Sequence, residues 1–247
     1  MASNTNALVL AGGFGTRLRS VVPGRQKVAA EVQGRPFLTY LFDQLIRCGV
    51  HEVILCTGYR GNELQELIGS HYGPLRLVYS IEQEPLGTAG ALGLAAPLIH
   101  SDPVLVLNGD SYCRFELGKF LSFHSAKAAD ASILLTPMAD TSRYGRVLLD
   151  GMDRVVQFEE KGVHPGEGWI NAGVYLLNAR LIRALPAGRA VSLEKEIFPR
   201  LDALFGLRVP GPFLDIGTPE DYARAAAFLD GEPLWSEIGR ASCRERV

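Results

Sequence analysis

The sequence predicts an α/β fold built around a sheet whose first strands are parallel. Short apolar runs bounded by turn residues alternate with longer stretches of helical periodicity, which is the pattern of βαβ units. Four apolar runs are the predicted strands, namely 7–11, 52–57, 76–80 and 104–107. Three stretches of helical periodicity are the predicted helices, namely 36–48, 61–69 and 88–98. Ligands of such a sheet bind beyond the carboxyl ends of its strands, so the residues that follow each strand are functional candidates.

The second half of the chain predicts mixed or antiparallel strands joined by short turns. The predicted strands are 132–136, 145–149, 155–159 and 170–177, and the dipeptide Asp150-Gly151 is typical of a hairpin turn. Two helices follow, 192–204, which Ser192 is expected to cap, and 219–229. We expect one domain over residues 1–230. In the tail 231–247, the last part lacks periodicity and resembles vector-derived read-through, so we set it apart from the fold.

Composition limits the classes of partner. The chain has 247 residues, and 47% of them are hydrophobic, enough for a sizeable core. The 25 basic and 27 acidic residues are interspersed, which excludes a polybasic surface for nucleic acid or anionic lipid. The four cysteines form no CxxC pair, and no apolar run approaches the ~20 residues of a membrane span. We therefore expect a cytoplasmic protein with reduced thiols and with neither nucleic-acid nor membrane partners.

A glycine-rich segment directly follows the first predicted strand. In residues 10–18, glycines at 12, 13 and 15 allow the backbone to approach a phosphate chain and donate N–H groups to it. Arg17 adds a cationic fork. The segment matches neither a Walker loop nor the GxGxxG pattern of dinucleotide sites. Taken alone, these glycines are equally consistent with a structural turn.

Two aspartates end apolar runs. Asp110 follows the predicted strand 104–107 where ligands are expected, and its carboxylate suits magnesium, a hard cation that prefers oxygen ligands. Asp215 ends a similar run at 213–215. Either residue alone is also consistent with a helix cap or a turn, but two residues of this kind favour a site.

Six ordered motifs between residues 7 and 229 resemble the sugar-1-phosphate nucleotidyltransferase family. They comprise residues 10–18 with Lys27, 81–91, 104–110, 144–145 with 159–162, 171–173, and 213–219. The resemblance implies a Rossmann-like three-layer nucleotidyltransferase fold with a mixed central sheet. It also implies a nucleotide-binding first half, a sugar-binding second half, and Mg²⁺ held by Asp110 and Asp215.

For the nucleotide, the resemblance implies that the segment from Leu10, through Ala11, Gly12, Gly13, Gly15 and Thr16, lies against the triphosphate. Arg17, Lys27 and Asp110 are the implied catalytic residues. The family's Pro-Lys-Pro segment is Gln26-Lys27-Val28 here, so Lys27 is retained without its flanking prolines.

A second loop, 81–91, matches the family's base-recognition loop. Gly87 would let the base lie against the backbone, and Thr88 is counted with the nucleotide-binding residues. Glu82 is placed to accept from the N1–H and N2–H₂ groups of guanine. Because uracil or thymine offers a single N–H donor, this carboxylate favours GTP.

For the sugar phosphate, the resemblance implies five residues: Tyr144, Gly145, Glu160, Lys161 and Asn171. In the family's Glu-Lys motif the glutamate binds sugar hydroxyls and the lysine holds the phosphate. Residues 192–196 also resemble family sequence near this pocket, but a capped helix explains them equally well.

The implied reaction is attack of a sugar 1-phosphate oxygen on the α-phosphorus of a nucleoside triphosphate, with pyrophosphate as the leaving group. It needs no general base, and the five histidines are expected at the surface or in loops. The motif wording is similar to guanylyltransferases acting on manno-configured sugars, with a heptose or mannose 1-phosphate as the expected acceptor. The alternatives are a uridylyl- or thymidylyltransferase, a non-catalytic regulatory subunit and, less favoured, a nicotinamide dehydrogenase. The oligomeric state, a homo-oligomer included, is left open.

Overall fold

Alternating strands and helices follow one another along the chain in the computed structural model, which describes residues 5–13, 18, 26–58, 60–162 and 166–233. The strands are β1 (Ala7–Leu10), β2 (Glu31–Val32), β3 (Arg35–Pro36), β4 (Glu52–Thr57), β5 (His71–Tyr72), β6 (Leu75–Ile81), β7 (Val104–Asn108), β8 (Ser111–Cys113), β9 (Ala131–Met138), β10 (Val147–Leu149), β11 (Val155–Phe158), β12 (Gly168–Leu177), β13 (Leu204–Arg208) and β14 (Phe213–Asp215). The helices are α1 (Leu38–Arg47), α2 (Gly61–Ile68), α3 (Gly87–Ala95), α4 (Leu117–Ala126), α5 (Ala179–Arg183) and α6 (Pro219–Phe228).

An eight-stranded sheet with the order β13-β9-β12-β7-β1-β4-β6-β5 forms the centre of the molecule. Strands β7, β1, β4 and β6 run parallel to one another, as the first half of the sequence predicts, and the edge strand β5 runs antiparallel to β6. Strand β12 runs antiparallel to both β7 and β9, and β13 is parallel to β9. The sheet is therefore mixed, which confirms the predicted fold class.

Side chains alternate between two apolar layers on the two faces of the sheet. In β1, Val9 belongs to the core cluster under α1, α4 and α6, whereas Leu8 belongs to the cluster under α3 and α5. All of Val104–Leu107 in β7 is buried, because this central strand is covered by helices on both faces. The result is a three-layer α/β/α arrangement.

A close backbone contact positions the segment after α5 against α3. Gly87 has φ 67°, and a Cβ at this position would lie 2.6 Å from the carbonyl oxygen of Val191. The same carbonyl accepts from the N–H of Ala89 at 2.9 Å, and the N–H of Val191 donates to Leu86 at 2.9 Å. Residues 192–197 consequently lie beside the first turn of α3.

The predicted helix over 192–204 is wrong. A single π-helical turn, Leu193–Ile197, is followed by a 3-10 turn, Phe198–Arg200, and strand β13 begins at Leu204. Pro199 lacks the N–H that a continuing helix would need. The predicted cap is confirmed, because Ser192 Oγ accepts from the N–H of Lys195 at 3.2 Å. Helices α4 and α5 and strands β2, β3, β5, β8 and β13 have no counterpart among the predicted elements, whereas β14 coincides with the apolar run 213–215.

One histidine contradicts the expectation of a surface or loop position. His124 lies in α4, is 5% exposed, and contacts Ser132 Oγ through Nδ1 at 2.9 Å and Asn178 Oδ1 through Nε2 at 3.1 Å. Burial lowers its pKa, so the imidazole is a neutral cross-link between α4 and the sheet. His51, His71 and His100 are exposed as expected, and His164 lies outside the described residues.

Within the described residues, none of the helices combines the length and the apolar character needed to cross a membrane.

Helix α6 is held in place by the buried carboxylate of Asp221. It accepts from Arg143, from Arg224 and, at 2.9 Å, from Thr218 Oγ1. Burial by itself would raise the pKa of Asp221, but the hydrogen bonds from these three residues outweigh it and hold the pKa below its ordinary value of 3.8. The depressed pKa means that the ionised carboxylate stabilises the fold above that value, and that this contribution is lost as the pH falls through the folded-state pKa.

We predict that Asp221→Asn destabilises the protein at pH 7 by about 2 kcal/mol, since charge-assisted hydrogen bonds are lost. At roughly 2–4 °C per kcal/mol the shift is measurable by thermal unfolding. The melting temperature of the variant should also vary less than that of the wild type between pH 5 and 3. Glu220→Gln, an exposed neighbour in the same helix turn, is the control. Equal shifts for both variants would contradict this account.

Candidate active site

The predicted nucleotide-binding residues surround a cavity of about 310 Å³ at the carboxyl ends of β1 and β7. Its lining residues are Leu10, Gly12, Gly13, Cys56, Glu82, Pro85, Gly87, Thr88, Ala91, Asn108 and Asp110. Ala11 is buried behind the wall and donates its N–H to Cys56 at 2.8 Å. Gly15, Thr16 and Arg17 lie outside the described residues, so their assignment stays a prediction.

Glu82 lies against the glycine-rich segment. One carboxylate oxygen, Oε2, accepts from the N–H of Leu86 at 2.7 Å. The other, Oε1, lies 2.2 Å from where a Cβ on Gly12 would be, so any larger residue at that position would displace this carboxylate. Burial raises the pKa of Glu82, and the Leu86 N–H partly opposes this shift. The half-buried carboxylate thus joins the loop 81–91 to the glycine-rich segment.

Lys27 brings the two predicted metal-binding carboxylates together. Its ammonium donates to Asp110 Oδ2 at 2.7 Å and to Asp215 Oδ1 at 3.1 Å, and its side chain is only 11% exposed. Strand β14 pairs with β8 so that Asp215 is opposite Ser111, and the N–H of Ile216 donates to the carbonyl of Asp110 at 3.0 Å. The pairing of β14 with β8 therefore places Asp215 beside Asp110, just beyond the carboxyl end of β7.

The cluster of Lys27, Asp110 and Asp215 has two negative charges and one positive charge, so it favours an additional cation. Burial raises the pKa of Asp215, the charge of Asp110 raises it further, and Lys27 opposes both effects. A Cβ on Gly217 would lie 2.9 Å from Asp215 Oδ1 and 3.2 Å from Lys27 Nζ. Glycine at 217 therefore allows these charged groups to approach the backbone.

The donor set fits magnesium. Among the described residues no group of three His, Cys, Asp or Glu side chains could enclose a metal ion. Mg²⁺ in phosphate-transfer sites needs fewer protein ligands, since it binds one or two carboxylates together with waters and phosphate oxygens. Asp110 and Asp215 supply two converging carboxylates, and the side chain of Asp110 is 41% exposed toward the cavity.

All five predicted sugar-phosphate residues line a second cavity of about 460 Å³. They are Tyr144, Gly145, Glu160, Lys161 and Asn171, and the remaining lining residues are Arg146, Val147, Phe158, Glu159, Ser192, Glu194, Lys195 and Pro199. Glu160 is exposed and lies 3.8 Å from Lys195 Nζ. The structure therefore brings together residues that span 144–199 in the sequence.

The second cavity is linked to the carboxylate cluster through Tyr144. Its ring packs edge-on against Phe213, with centroids 5.7 Å apart, and Phe213 belongs to the strand that carries Asp215. Asn171 accepts from the N–H of Gly173 at 2.9 Å and donates to Tyr175 Oη at 2.9 Å, which fixes the orientation of its amide. This wall of the second cavity is therefore supported by β12 and β14.

Sequence reasoning missed the lining residues Asn108 and Glu194, and it missed Tyr175, which is fully buried and hydrogen-bonded to Asn171 and Glu194. Asn108 precedes Gly109 and Asp110 at the end of a predicted strand, so its position alone could have identified it. Tyr175 lies within an apolar strand and looks like an ordinary core residue. Glu194 lies in the segment that a capped helix explained equally well.

Two cavities lie at the carboxyl edge of a mixed sheet, and beside one of them Lys27 holds Asp110 and Asp215 together, an arrangement suited to phosphate groups and a metal ion. The chain belongs to the nucleotidyl transferase family, whose model matches residues 6–232. It is therefore a nucleotidyltransferase.

Relatives of assigned function are similar over most of the chain. D-glycero-alpha-D-manno-heptose 1-phosphate guanylyltransferase of Aneurinibacillus thermoaerophilus is 37% identical over 226 residues, which is 90% of this chain and 97% of the relative. Mannose-1-phosphate guanylyltransferase of Mycobacterium tuberculosis is 37% identical over 231 residues. The chain spans 64% of the length of that second relative.

Among solved structures, HddC from Yersinia pseudotuberculosis superimposes with a TM-score of 0.81 and 34% identity, covering 90% of this chain and 98% of that one. A second structure of HddC, complexed with GMP-PN, gives a TM-score of 0.80.

We predict that Gly12→Ala raises the KM for the nucleoside triphosphate by about tenfold, or ~1.4 kcal/mol, because the new Cβ displaces Glu82. Steady-state kinetics at saturating sugar 1-phosphate measures the change. In a Glu82→Ala background the same substitution should raise the KM much less. Gly13→Ala, whose Cβ would meet no atom within 4 Å, should have a smaller effect. If Gly12→Ala raised the KM equally in the Glu82→Ala background, the contact between residue 12 and Glu82 would not be the cause.

Proposed function

We propose that the protein transfers a guanylyl group from GTP to D-glycero-α-D-manno-heptose 1-phosphate, releasing pyrophosphate. The observation that carries the proposal is the pair of cavities, one beside Glu82 and the glycine-rich segment and the other around Glu160 and Lys161. The near full-length similarity to a heptose 1-phosphate guanylyltransferase supports this choice of substrates. Mannose 1-phosphate is the second candidate acceptor, supported by the similarity to the mycobacterial mannose enzyme.

In this reaction an oxygen of the sugar phosphate forms a bond to the α-phosphorus as the α–β phosphoanhydride bond breaks, and the electron pair leaves with pyrophosphate. The nucleophile is already ionised near neutral pH, so the protein contributes mainly positioning and charge neutralisation. Two unit charges about 4 Å apart repel by roughly 4 kcal/mol at an effective dielectric near 20. Positive groups are therefore needed between the substrates.

Lys27 and Lys161 would supply that positive charge from opposite sides. Lys27 contacts Asp110, which lines the nucleotide cavity, and would neutralise the α-phosphate, whereas Lys161 lines the sugar cavity and would bind the acceptor phosphate. Arg17 is the third proposed cation. When bound by Asp110 and Asp215, magnesium would supply further charge neutralisation on the phosphates. Until the substrates arrive, Lys27 keeps the two carboxylates close together despite their mutual repulsion.

Selection of guanine is assigned to Glu82. Its Oε2 is already occupied by the Leu86 N–H, which leaves Oε1 and the remaining lone pairs to accept from the base. Guanine offers two adjacent donors to such a carboxylate, whereas uracil and thymine offer one. Asp110 and Lys161 line the two cavities, and Lys27 holds Asp215 beside Asp110; the presence of all four residues argues against a non-catalytic regulatory subunit. A cytoplasmic location and the absence of nucleic-acid partners stay predictions.

We predict that pyrophosphate release requires GTP and a manno-configured sugar 1-phosphate. The assay pairs GTP, UTP, dTTP and ATP with heptose, mannose and glucose 1-phosphates. The heptose compound should give the largest kcat/KM, and Glu82→Gln should reduce the preference for GTP over UTP. No release with any pair would overturn the proposal, and a preference for UTP would overturn the role of Glu82.

We predict that Lys27→Met lowers kcat by about 10²–10³-fold, the range seen when one transition-state donor is removed. Lys119→Met, which removes an exposed lysine of α4, is the control. Circular dichroism and thermal unfolding would establish that both variants are folded. Wild-type kcat in a folded Lys27→Met variant would exclude Lys27 from the reaction.

We predict that activity is lost with EDTA and returns on addition of Mg²⁺. Asp215→Asn should raise the Mg²⁺ concentration for half-maximal activity by about tenfold, corresponding to ~1.4 kcal/mol of lost affinity. Asp110→Asn should abolish turnover, whereas Asp202→Asn, an exposed change, should not. Full activity in EDTA would rule out the metal.

A further inference from the structure

A single carboxylate, that of Glu194, lies in the wall between the two cavities. Its Oε2 accepts from Thr88 Oγ1 at 3.3 Å and from Ser192 Oγ at 3.1 Å. Its Oε1 accepts from Tyr175 Oη at 3.0 Å. Thr88 lines the nucleotide cavity, whereas Glu194 itself lines the sugar cavity. The Glu194 side chain therefore lines the sugar cavity and is hydrogen-bonded to a residue that lines the nucleotide cavity.

The contact continues on the sugar side through Tyr175. Its hydroxyl donates to Glu194 and accepts from Asn171 Nδ2 at 2.9 Å, and Asn171 lines the sugar cavity. Tyr175 is fully buried, and burial together with the charge of Glu194 raises its pKa well above the ordinary value. The phenol therefore keeps its proton and remains a donor to Glu194. A side-chain hydrogen bond with Asn108 joins the same hydroxyl to the nucleotide cavity.

The contact is equally well defined on the nucleotide side. Thr88 Oγ1 accepts from the N–H of Leu193 at 2.8 Å while its own proton is directed to Glu194. Leu193 is fully buried, and the preceding residues are held against α3 by the backbone contacts of Val191. Thr88 and Glu194 thus sit on two elements that are packed rigidly together.

We infer that Glu194 is a positioning residue that couples the two substrate sites. Three hydroxyl donors share its two oxygens, so the geometry of Thr88 on one side constrains that of Tyr175 and Asn171 on the other. A nucleotide that shifts Thr88 also shifts the hydrogen-bonded Tyr175 and Asn171 toward their substrate-bound positions, and thermodynamic linkage requires that the sugar phosphate acts on the nucleotide site in return. The inference rests on the proposed function for the identity of the two ligands.

Direct binding measurements test the coupling. Isothermal titration calorimetry would give the Kd of D-glycero-α-D-manno-heptose 1-phosphate alone and with saturating α,β-methylene GTP, which does not react at its α-phosphorus. We expect the nucleotide to lower this Kd by about tenfold in the wild type, within the usual range of coupling between sites. In Glu194→Gln the ratio should fall to near one, because the amide nitrogen cannot accept a hydrogen bond.

Glu196→Gln is the matched control, because it removes an equal charge two residues away. Glu196 Oε1 accepts from the N–H of Ser192 at 3.0 Å, a role that an amide oxygen can also fill. This control should keep the wild-type ratio. The same loss of coupling in both variants would assign the effect to general charge or to local packing and overturn the inference.

Variants at the two ends of the contact separate coupling from a merely structural role. Thr88→Val and Tyr175→Phe should each remove most of the coupling, and the double variant should lose no more than either single one. Thr88→Ser, which keeps the hydroxyl, should restore the wild-type ratio. Additive losses, or no rescue by serine, would overturn the inference.

The two proposals fail differently. A wild-type ratio of one with normal turnover overturns the coupling alone. Absence of both binding and turnover in the wild type overturns the proposed function, and the coupling with it.

Discussion

The paired contact of Lys27 with Asp110 and Asp215 is the interaction on which the site depends. It joins residues that are 188 positions apart in the chain, and three separate structural requirements must be met for it to form. Strand β7 must deliver Asp110 to the sheet edge, β14 must pair with β8, and Gly217 must leave room for the charged groups. Because two carboxylates at this distance would otherwise repel each other, the lysine is part of the geometry as well as part of the chemistry.

Close backbone approach is the second requirement. Gly12 admits the Glu82 carboxylate, and Gly87 admits the backbone of Val191. The first contact shapes the nucleotide cavity. The second brings residues 192–197 beside α3 and so places Glu194 between the cavities. Glycines that indicate phosphate binding in the sequence therefore also have packing roles that the sequence pattern does not distinguish.

Much of the fold is predictable from the sequence for a physical reason. Strands β1, β4 and β7 are buried on both faces, so each is a continuous apolar run bounded by polar or turn residues. Strand β13 is not predictable in the same way, because its apolar residues follow a capped helical turn and read as its continuation. Periodicity alone does not show that the helical turns end soon after Pro199. The apolar run 213–215 indicates β14, but the three-residue strand β8 is too short for any pattern and is defined only by pairing with β14 across about a hundred residues.

The same contrast holds for the site. Asp110, Glu82 and Lys161 follow from motif and position, because each ends or adjoins a recognisable element. Tyr175 does not, since a tyrosine in an apolar strand is typical of a core residue, and only its hydroxyl partners distinguish it. Buried polar contacts between distant elements are therefore the part of this site that sequence reasoning could not supply.

The antiparallel pairing of β12 with β7 has a consequence for motion. This ladder makes one continuous sheet out of the strands beneath the nucleotide cavity and the strand that bears Asn171. Hinge bending between the halves would break a ladder in the middle of the core, where unpaired backbone groups cost most. Both cavities are therefore built on one continuous platform, and the sheet beneath them sets the distance between them.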